Sequence, residues 1–163
     1  MLEALGQHFS EHKFLLGARP CLADFALAGA CKAHYLCDPE PRSWLGEYQQ
    51  MLVDYTERFF SHDPIDAGDW QANDELPVTL GVILDYIQRS YLQFATANIH
   101  ASAAGEKYYQ YNYGFGPTKA RTQKRLNKAR LHVQDELVKM GAQKHAKIID
   151  VYGSRGILQH YLA

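Results

Sequence analysis

Cysteine is scarce in this chain, and what there is does not pair. Cys21, Cys31 and Cys37 make an odd set of three with no Cys-x-x-Cys spacing. That excludes a disulfide framework and leads us to expect reduced, mostly buried thiols in a cytoplasmic protein. Long hydrophobic runs are missing too, since none approaches the roughly 18–20 residues that span a bilayer. The opening segment Met1 to His8 has neither a basic n-region nor a long apolar core, so no secretory signal is expected. Catalytic signatures are equally absent: there is no Gly-x-Ser-x-Gly, His-Glu-x-x-His, P-loop or dinucleotide-binding glycine pattern. What remains is an ordinary globular composition, 47% hydrophobic and 21% charged over 163 residues, enough for one domain with a substantial core.

The net charge of −1 hides an asymmetry. Residues 1–105 carry 6 basic and 14 acidic groups, net −8, and residues 106–163 carry 11 basic and 4 acidic, net +7. A basic half can signal a nucleic-acid or membrane partner. Here the basic residues lie inside a helical pattern rather than a low-complexity tail, which favours two halves of one domain facing each other.

Taken in order, Leu2 to Phe9 has apolar residues at spacings of three and four, the last turns of a helix that breaks at Ser10 and Glu11. His8 and His12 have a metal-ligand spacing, but no carboxylate or Cys completes a site. Two surface histidines and no metal are expected. The next helix runs from Leu22 to about Leu36, and its small residues (Ala23, Ala26, Ala28, Gly29, Ala30, Ala33) mark it as the central buried helix. Leu22, Phe25, Ala26 and Gly29 would face inward, and His34 reads as a hydrogen-bonded histidine rather than a base. Asp38-Pro-Glu-Pro41 stops it. Ser43 can cap an amphipathic helix to Phe60, with Trp44, Leu45, Tyr48, Met51, Leu52, Tyr55 and Phe59 on one face.

Residues 61–75 read as a solvated acidic connector, because Asp63, Asp66, Asp69 and Asp74 lack the order of a calcium loop. Pro77 suits the first turn of the longest helix, Leu76 to about Ala104, with Leu80, Ile83, Leu84, Ile87, Tyr91, Phe94, Ala95 and Asn98 near one stripe and Gly105 as its C′ residue. The alternation from Tyr108 to Pro117 predicts an extended segment or short hairpin. A basic helix is expected from Thr118 with a narrow seam of Leu126, Ala129, Val133, Leu137 and Met140. A last short helix, Lys144 to Tyr152, precedes the break at Gly153-Ser-Arg-Gly156 and the apolar tail Ile157 to Leu162. The sum is an all-α bundle of five or six helices with a short extended Tyr-rich insert.

The stretch that organises the rest is Phe14 to Leu27. A Gly17/Pro20 turn leads into a helix start, and Asp24 stands three residues after Cys21. At that offset an N3 carboxylate reaches back to the N-cap backbone N–H, favoured by the helix dipole. The thiol of Cys21 is a poor acceptor for the other half of the box, a loss of about 1 kcal/mol. A thiol at a helix N-terminus can have a lowered pKa, which Asp24 would oppose, so Cys21 is a redox candidate. Cys31 and Cys37 read as small buried apolar residues.

Phe14-x-x-Gly17 followed by Cys21-Leu-Ala-Asp24-Phe-Ala-Leu resembles the Gly … Ser/Thr-x-Ala-Asp-Phe capping box of the helical C-terminal domain of glutathione S-transferases. Ala33-His34-Tyr35-Leu36-Cys37-Asp38-Pro39 is similar to one bacterial-type branch of that family. The resemblance is best over residues 1–60, from Phe14 onward, and weaker from Leu76 to about Met140. It implies that residues 1–163 form one such domain: residues 61–75 are the connector, and residues 76–163 supply the long helix, Tyr-rich insert, basic helix and tail. Cys21 departs from the family pattern, which has Ser or Thr there.

Transferase chemistry needs a group that holds the glutathione thiolate, and in the family that comes from an N-terminal thioredoxin-like domain. No strand-rich half of that kind is present in this sequence. The resemblance therefore implies a transferase-like helical part without catalytic residues of its own, inactive alone, with glutathione as a ligand only beside a thioredoxin-like domain. It would contribute a hydrophobic surface to a small apolar ligand, with Tyr109, Tyr111, Tyr113 and Phe115 as pocket candidates, or to a homodimer or thioredoxin-fold partner. Nucleic acid is disfavoured, since the tyrosines alternate faces. A second reading belongs to another class: a non-catalytic protein–protein interaction module on the same fold, whose exposed apolar area recruits a partner.

Overall fold

Helices and one tyrosine-rich hairpin make up the computed structural model, which describes residues 1–61, 64–71, 75–112, 116–140, 146, 148, 150 and 157–162. The chain divides into two units, Met1–Ile83 and Leu84–Ala163. None of the described helices is long and apolar enough to cross a membrane.

In the first unit α1 (Leu2–Glu11) buries Ala4, Leu5, His8 and Phe9 along one stripe. It runs through Ser10 and Glu11 rather than breaking there, with the Ser10 hydroxyl donating to the Gln7 carbonyl at 2.7 Å. His8 is fully buried, which corrects the expectation of two surface histidines. The chain then turns tightly, with Phe14 and Gly17 exchanging backbone bonds of 2.9 and 3.2 Å. Gly17 has φ +111°, and a Cβ there would stand 3.0 Å from the Gln71 backbone nitrogen, so both conformation and contact demand glycine.

The next helix, α2 (Leu22–Ala30), continues into a π-helical turn, Cys31–Leu36. Its buried stripe is Asp24, Ala28 and Cys31. The expected inward face is turned outward, with Leu22 86% and Phe25 49% exposed, so α2 is not a helix buried all round. The cause is polar. The Asp24 carboxylate takes the Leu15 amide (2.9 Å) and the Tyr55 hydroxyl (3.0 Å) on Oδ1, and the Cys21 amide (2.9 Å) on Oδ2. Three donors in the interior fix which side of α2 faces in, and a buried carboxylate needs them.

Asp38 is extended before Pro39, and the helix expected from Ser43 to Phe60 is divided. α3 (Pro39–Ser43) and a 3-10 turn (Gly46–Tyr48) precede α4 (Gln49–Phe60). Ser43 closes α3, donating to the Glu40 carbonyl at 2.7 Å, instead of capping α4. Gly46 at φ +54° marks the break. Trp44 is left 66% exposed, whereas Leu45, Leu52 and Tyr55 of the expected face are buried. Phe9 stacks on Tyr55 with centroids 4.2 Å apart. Phe59 meets Phe14, Phe25 and Tyr55 edge-on. The described part of the connector, 64–71, is mostly exposed as expected but is pinned down: Gly68, Asp69 and Gln71 exchange backbone bonds with Leu16 and Ala18.

The predicted longest helix is two, α5 (Val78–Arg89) and α6 (Tyr91–Ala103). Ser90 between them has ψ −67° and its hydroxyl donates to the Tyr86 carbonyl at 2.7 Å, a local bond that competes with the helical ladder.

In the second unit Gly105 (φ +71°) ends α6 as expected, with Glu106 N–H to Ala101 O (2.9 Å) and Gly105 N–H to Ser102 O (3.3 Å) closing a Schellman motif. Strands β1 (Tyr108–Asn112) and β2 (Pro117–Arg121) pair antiparallel with Tyr109 opposite Ala120. Residues 118–121, read from sequence as the start of the basic helix, are thus strand, and α7 runs Lys124–Lys139. Buried Asn98 sets that boundary: its Oδ1 takes the Gln123 amide (2.7 Å) and its Nδ2 donates to the Gln123 carbonyl (3.1 Å). Of the expected α7 seam only Leu137 is buried. Ile157–Leu162 forms α8. The helix expected over 144–152 and the break at 153–156 fall almost wholly outside the described residues.

Tyr55→Phe is expected to lower the stability of the first unit by about 1–2 kcal/mol, and Asp24→Ala, which orphans three donors, by about 3 kcal/mol or more. Urea unfolding followed by the fluorescence of Trp44 and Trp70 measures both. Equal, negligible effects would show that the carboxylate anchors nothing.

Candidate functional site

The residues named from sequence fall in two places. Cys21 and Asp24 form the expected box, with the Cys21 thiol facing the Asp24 backbone N–H and the Asp24 carboxylate returning to Cys21 N–H. Burial, then the Asp24 carboxylate, pushes the Cys21 thiol up rather than down. The expected helix-terminus activation is overridden, and the redox reading of Cys21 loses its chemical basis. Burial likewise raises Cys31, while Cys37 is exposed rather than buried. Tyr55 is raised by burial and by Asp24, so its phenol stays protonated and serves as a donor to the carboxylate.

The tyrosine segment behaves as its alternation predicts. Tyr109 and Tyr111 share a face of β1 and pack on Phe94 of α6, with centroids at 6.1 and 5.2 Å, and on each other at 5.9 Å. Tyr108 faces the other way beneath Lys119 and Lys107. Tyr109 and Tyr111 are therefore brought together as a wall of the second unit's core, and they line neither of the cavities described here. Tyr113 and Phe115, the other two pocket candidates, lie outside the described residues.

Sequence reasoning missed a cleft in the first unit. It opens between α1, the 3-10 turn and α4, holds about 440 Å³, and is lined by Gly6, Phe9, Tyr48, Met51, Asp54 and Arg58 among others. Phe9, Met51 and the Tyr48 ring give it an apolar floor. Glu47, Asp54 and Arg58 supply its charges, two acidic and one basic. Arg58 is held in place by donating to the Lys13 carbonyl, with its guanidinium over the Tyr55 ring. Gly6 keeps the cleft open, since a Cβ there would meet the Tyr48 ring at 3.2 Å. A glycine inside the otherwise amphipathic α1 was the available signal.

His8 of α1 is buried away from this cleft. Its Nε2–H donates to the Phe14 carbonyl at 3.3 Å, which leaves Nδ1 to accept from the Thr79 hydroxyl at 2.8 Å. Both nitrogens are used by a neutral ring, and burial lowers its pKa from 6.5. The His12 ring lies 5.0 Å away. Among the described residues no group of three or more His, Cys, Asp or Glu side chains is placed to hold a metal ion.

The unfolded chain takes up the His8 proton before the folded one does. Stability is therefore full above about pH 7 and falls as pH drops below 6.5, by no more than about 1.4 kcal/mol per pH unit. His8→Gln is expected to flatten that decline between pH 7 and 5 in urea titrations. An unchanged slope would place the titration elsewhere. Compared with models of protein families, with curated proteins and with solved structures, this chain matches none.

Proposed function

We propose that this chain is a glutathione S-transferase-like helical module that offers an apolar cleft to a small hydrophobic ligand and performs no transferase chemistry by itself. The buried Asp24 anchor supports the likeness. The motif that suggested it is built as a working capping box, tying the Phe14–Gly17 turn to α2 and α4. The observation that carries the ligand reading is the cleft over Phe9, Tyr48 and Met51, whose volume of about 440 Å³ lies in the range of small-molecule sites. A thiolate-holding group would have to come from a thioredoxin-like domain.

A second reading, a protein–protein interaction module, draws on the outward face of α2. Leu22 and Phe25 there are 86% and 49% exposed, a helix side rich in apolar area and short of charge. A second copy of the chain or a thioredoxin-fold partner would cover it.

The purified chain should pass through immobilised glutathione and fail to conjugate glutathione to an aromatic electrophile. It should nevertheless bind the neutral apolar dye Nile red saturably. Gly6→Val, which crowds the Tyr48 ring where both line the cleft, is expected to weaken the dye at least tenfold with the thermal transition retained. Turnover by the chain alone would overturn the non-catalytic part. Dye binding indifferent to Gly6→Val would overturn the cleft, and a dimer broken by Phe25→Ser would favour the second reading.

A further inference from the structure

The second unit holds a site that the apolar-cleft reading does not touch. Between α6, α7 and α8 lies a cavity of about 60 Å³, partly open to solvent, walled by Tyr91, Ile99, Leu126 and Tyr161 and reached by Arg130 and His160. The Arg130 Nη1 is buried with no hydrogen-bond partner. Its Nε makes only a long contact of 3.4 Å with Asn127 Oδ1, and Arg130 forms no ion pair among the described residues. A guanidinium cannot shed its charge, and a buried cationic N–H without an acceptor is costly. An acceptor placed in the cavity, on a bound ligand, satisfies such a group.

From this geometry we infer that the cavity is a binding site for the carboxylate of a small apolar acid, with Arg130 as its anchor. A planar carboxylate matches the guanidinium fork. The walls are hydrocarbon and aromatic, which suits an alkyl chain and does not suit a fully hydrated phosphate. The cavity has room for the head group and a few carbons. His160 contributes a neutral ring. Its Nδ1 lies 3.4 Å from Thr96 Oγ1, and burial together with the Arg130 charge lowers its pKa. The Tyr161 phenol, raised by burial and then by Tyr91, stays a neutral donor. Residues 84–163 carry 12 basic and 5 acidic groups, net +7, a field that draws an anion toward this unit.

Butyrate is the probe, with butanol and inorganic phosphate as controls, titrated into the full chain while the ring resonances of His160 are followed by NMR. Butyrate is expected to shift them saturably and to raise the His160 pKa, because the bound anion offsets the Arg130 charge. Butanol and phosphate are each expected to bind at least tenfold more weakly. Arg130→Met should raise the His160 pKa in the free protein and abolish the butyrate response, and Arg130→Lys should weaken it without abolishing it. Equal binding of butanol would reduce the site to an apolar hollow, equal binding of phosphate to a diffuse positive field, and either overturns the inference. Undiminished butyrate binding by Arg130→Met does so as well. The wild-type comparison decides the matter even if a variant fails to fold, and Nile red binding in the first unit can succeed or fail independently.

Discussion

A single buried carboxylate determines how the first unit is assembled. Asp24 brings three donors from three parts of the chain to one point: the amide of Leu15 in the Phe14–Gly17 turn, the amide of Cys21 at the helix start, and the hydroxyl of Tyr55 on α4. Burying a charge is unfavourable unless each lone pair finds a donor. The three segments are therefore held together or released together. The stacked Phe9–Tyr55 pair and the Phe59 contacts fill the space that this arrangement leaves, and α1 is seated against them, with a neutral His8 joined to Phe14 and Thr79. The open cleft follows from that seating, since Gly6 and Phe9 of α1 and Tyr48 and Met51 meet across it.

The second unit uses a neutral device for a comparable purpose. Asn98 clamps both backbone groups of Gln123, so the turn from β2 into α7 is fixed by one side chain. The hairpin lays Tyr109 and Tyr111 against Phe94, and the basic helix contributes one buried leucine, Leu137. Most of its positive charge stays in water. Arg130 is the exception, and that exception makes the small cavity chemically distinct.

Helix content, the position of the capping box, the extended segment at Tyr108–Asn112 and the glycine stop at Gly105 could be read from residue order, because each rests on local spacing. Orientation could not. Apolar periodicity ranks Leu22 and Phe25 above Asp24, yet the carboxylate decides which side of α2 turns inward, and its donors come from residues nine and thirty-one positions away. The breaks at Gly46 and Ser90 were hidden for a similar reason: the stripe of apolar residues continues across them, while a positive φ at Gly46 and the off-helix backbone of Ser90 (φ −113°, ψ −67°) end the regular helix. His8 looked like a surface residue because its buried partners are the Phe14 carbonyl, across the turn, and Thr79, 71 positions away. The cleft and the Arg130 cavity were equally invisible, since each is walled by three elements. Tyr109 and Tyr111 pack on Phe94.

Native-state amide hydrogen exchange tests the central claim most directly. If the Asp24 carboxylate holds the first unit together, the Leu15 and Cys21 amides, both outside regular helix, should exchange only through unfolding of the whole unit, as slowly as the amides in the middle of α4. Exchange of these two amides at the rate of an open loop, while α4 remains protected, would contradict it.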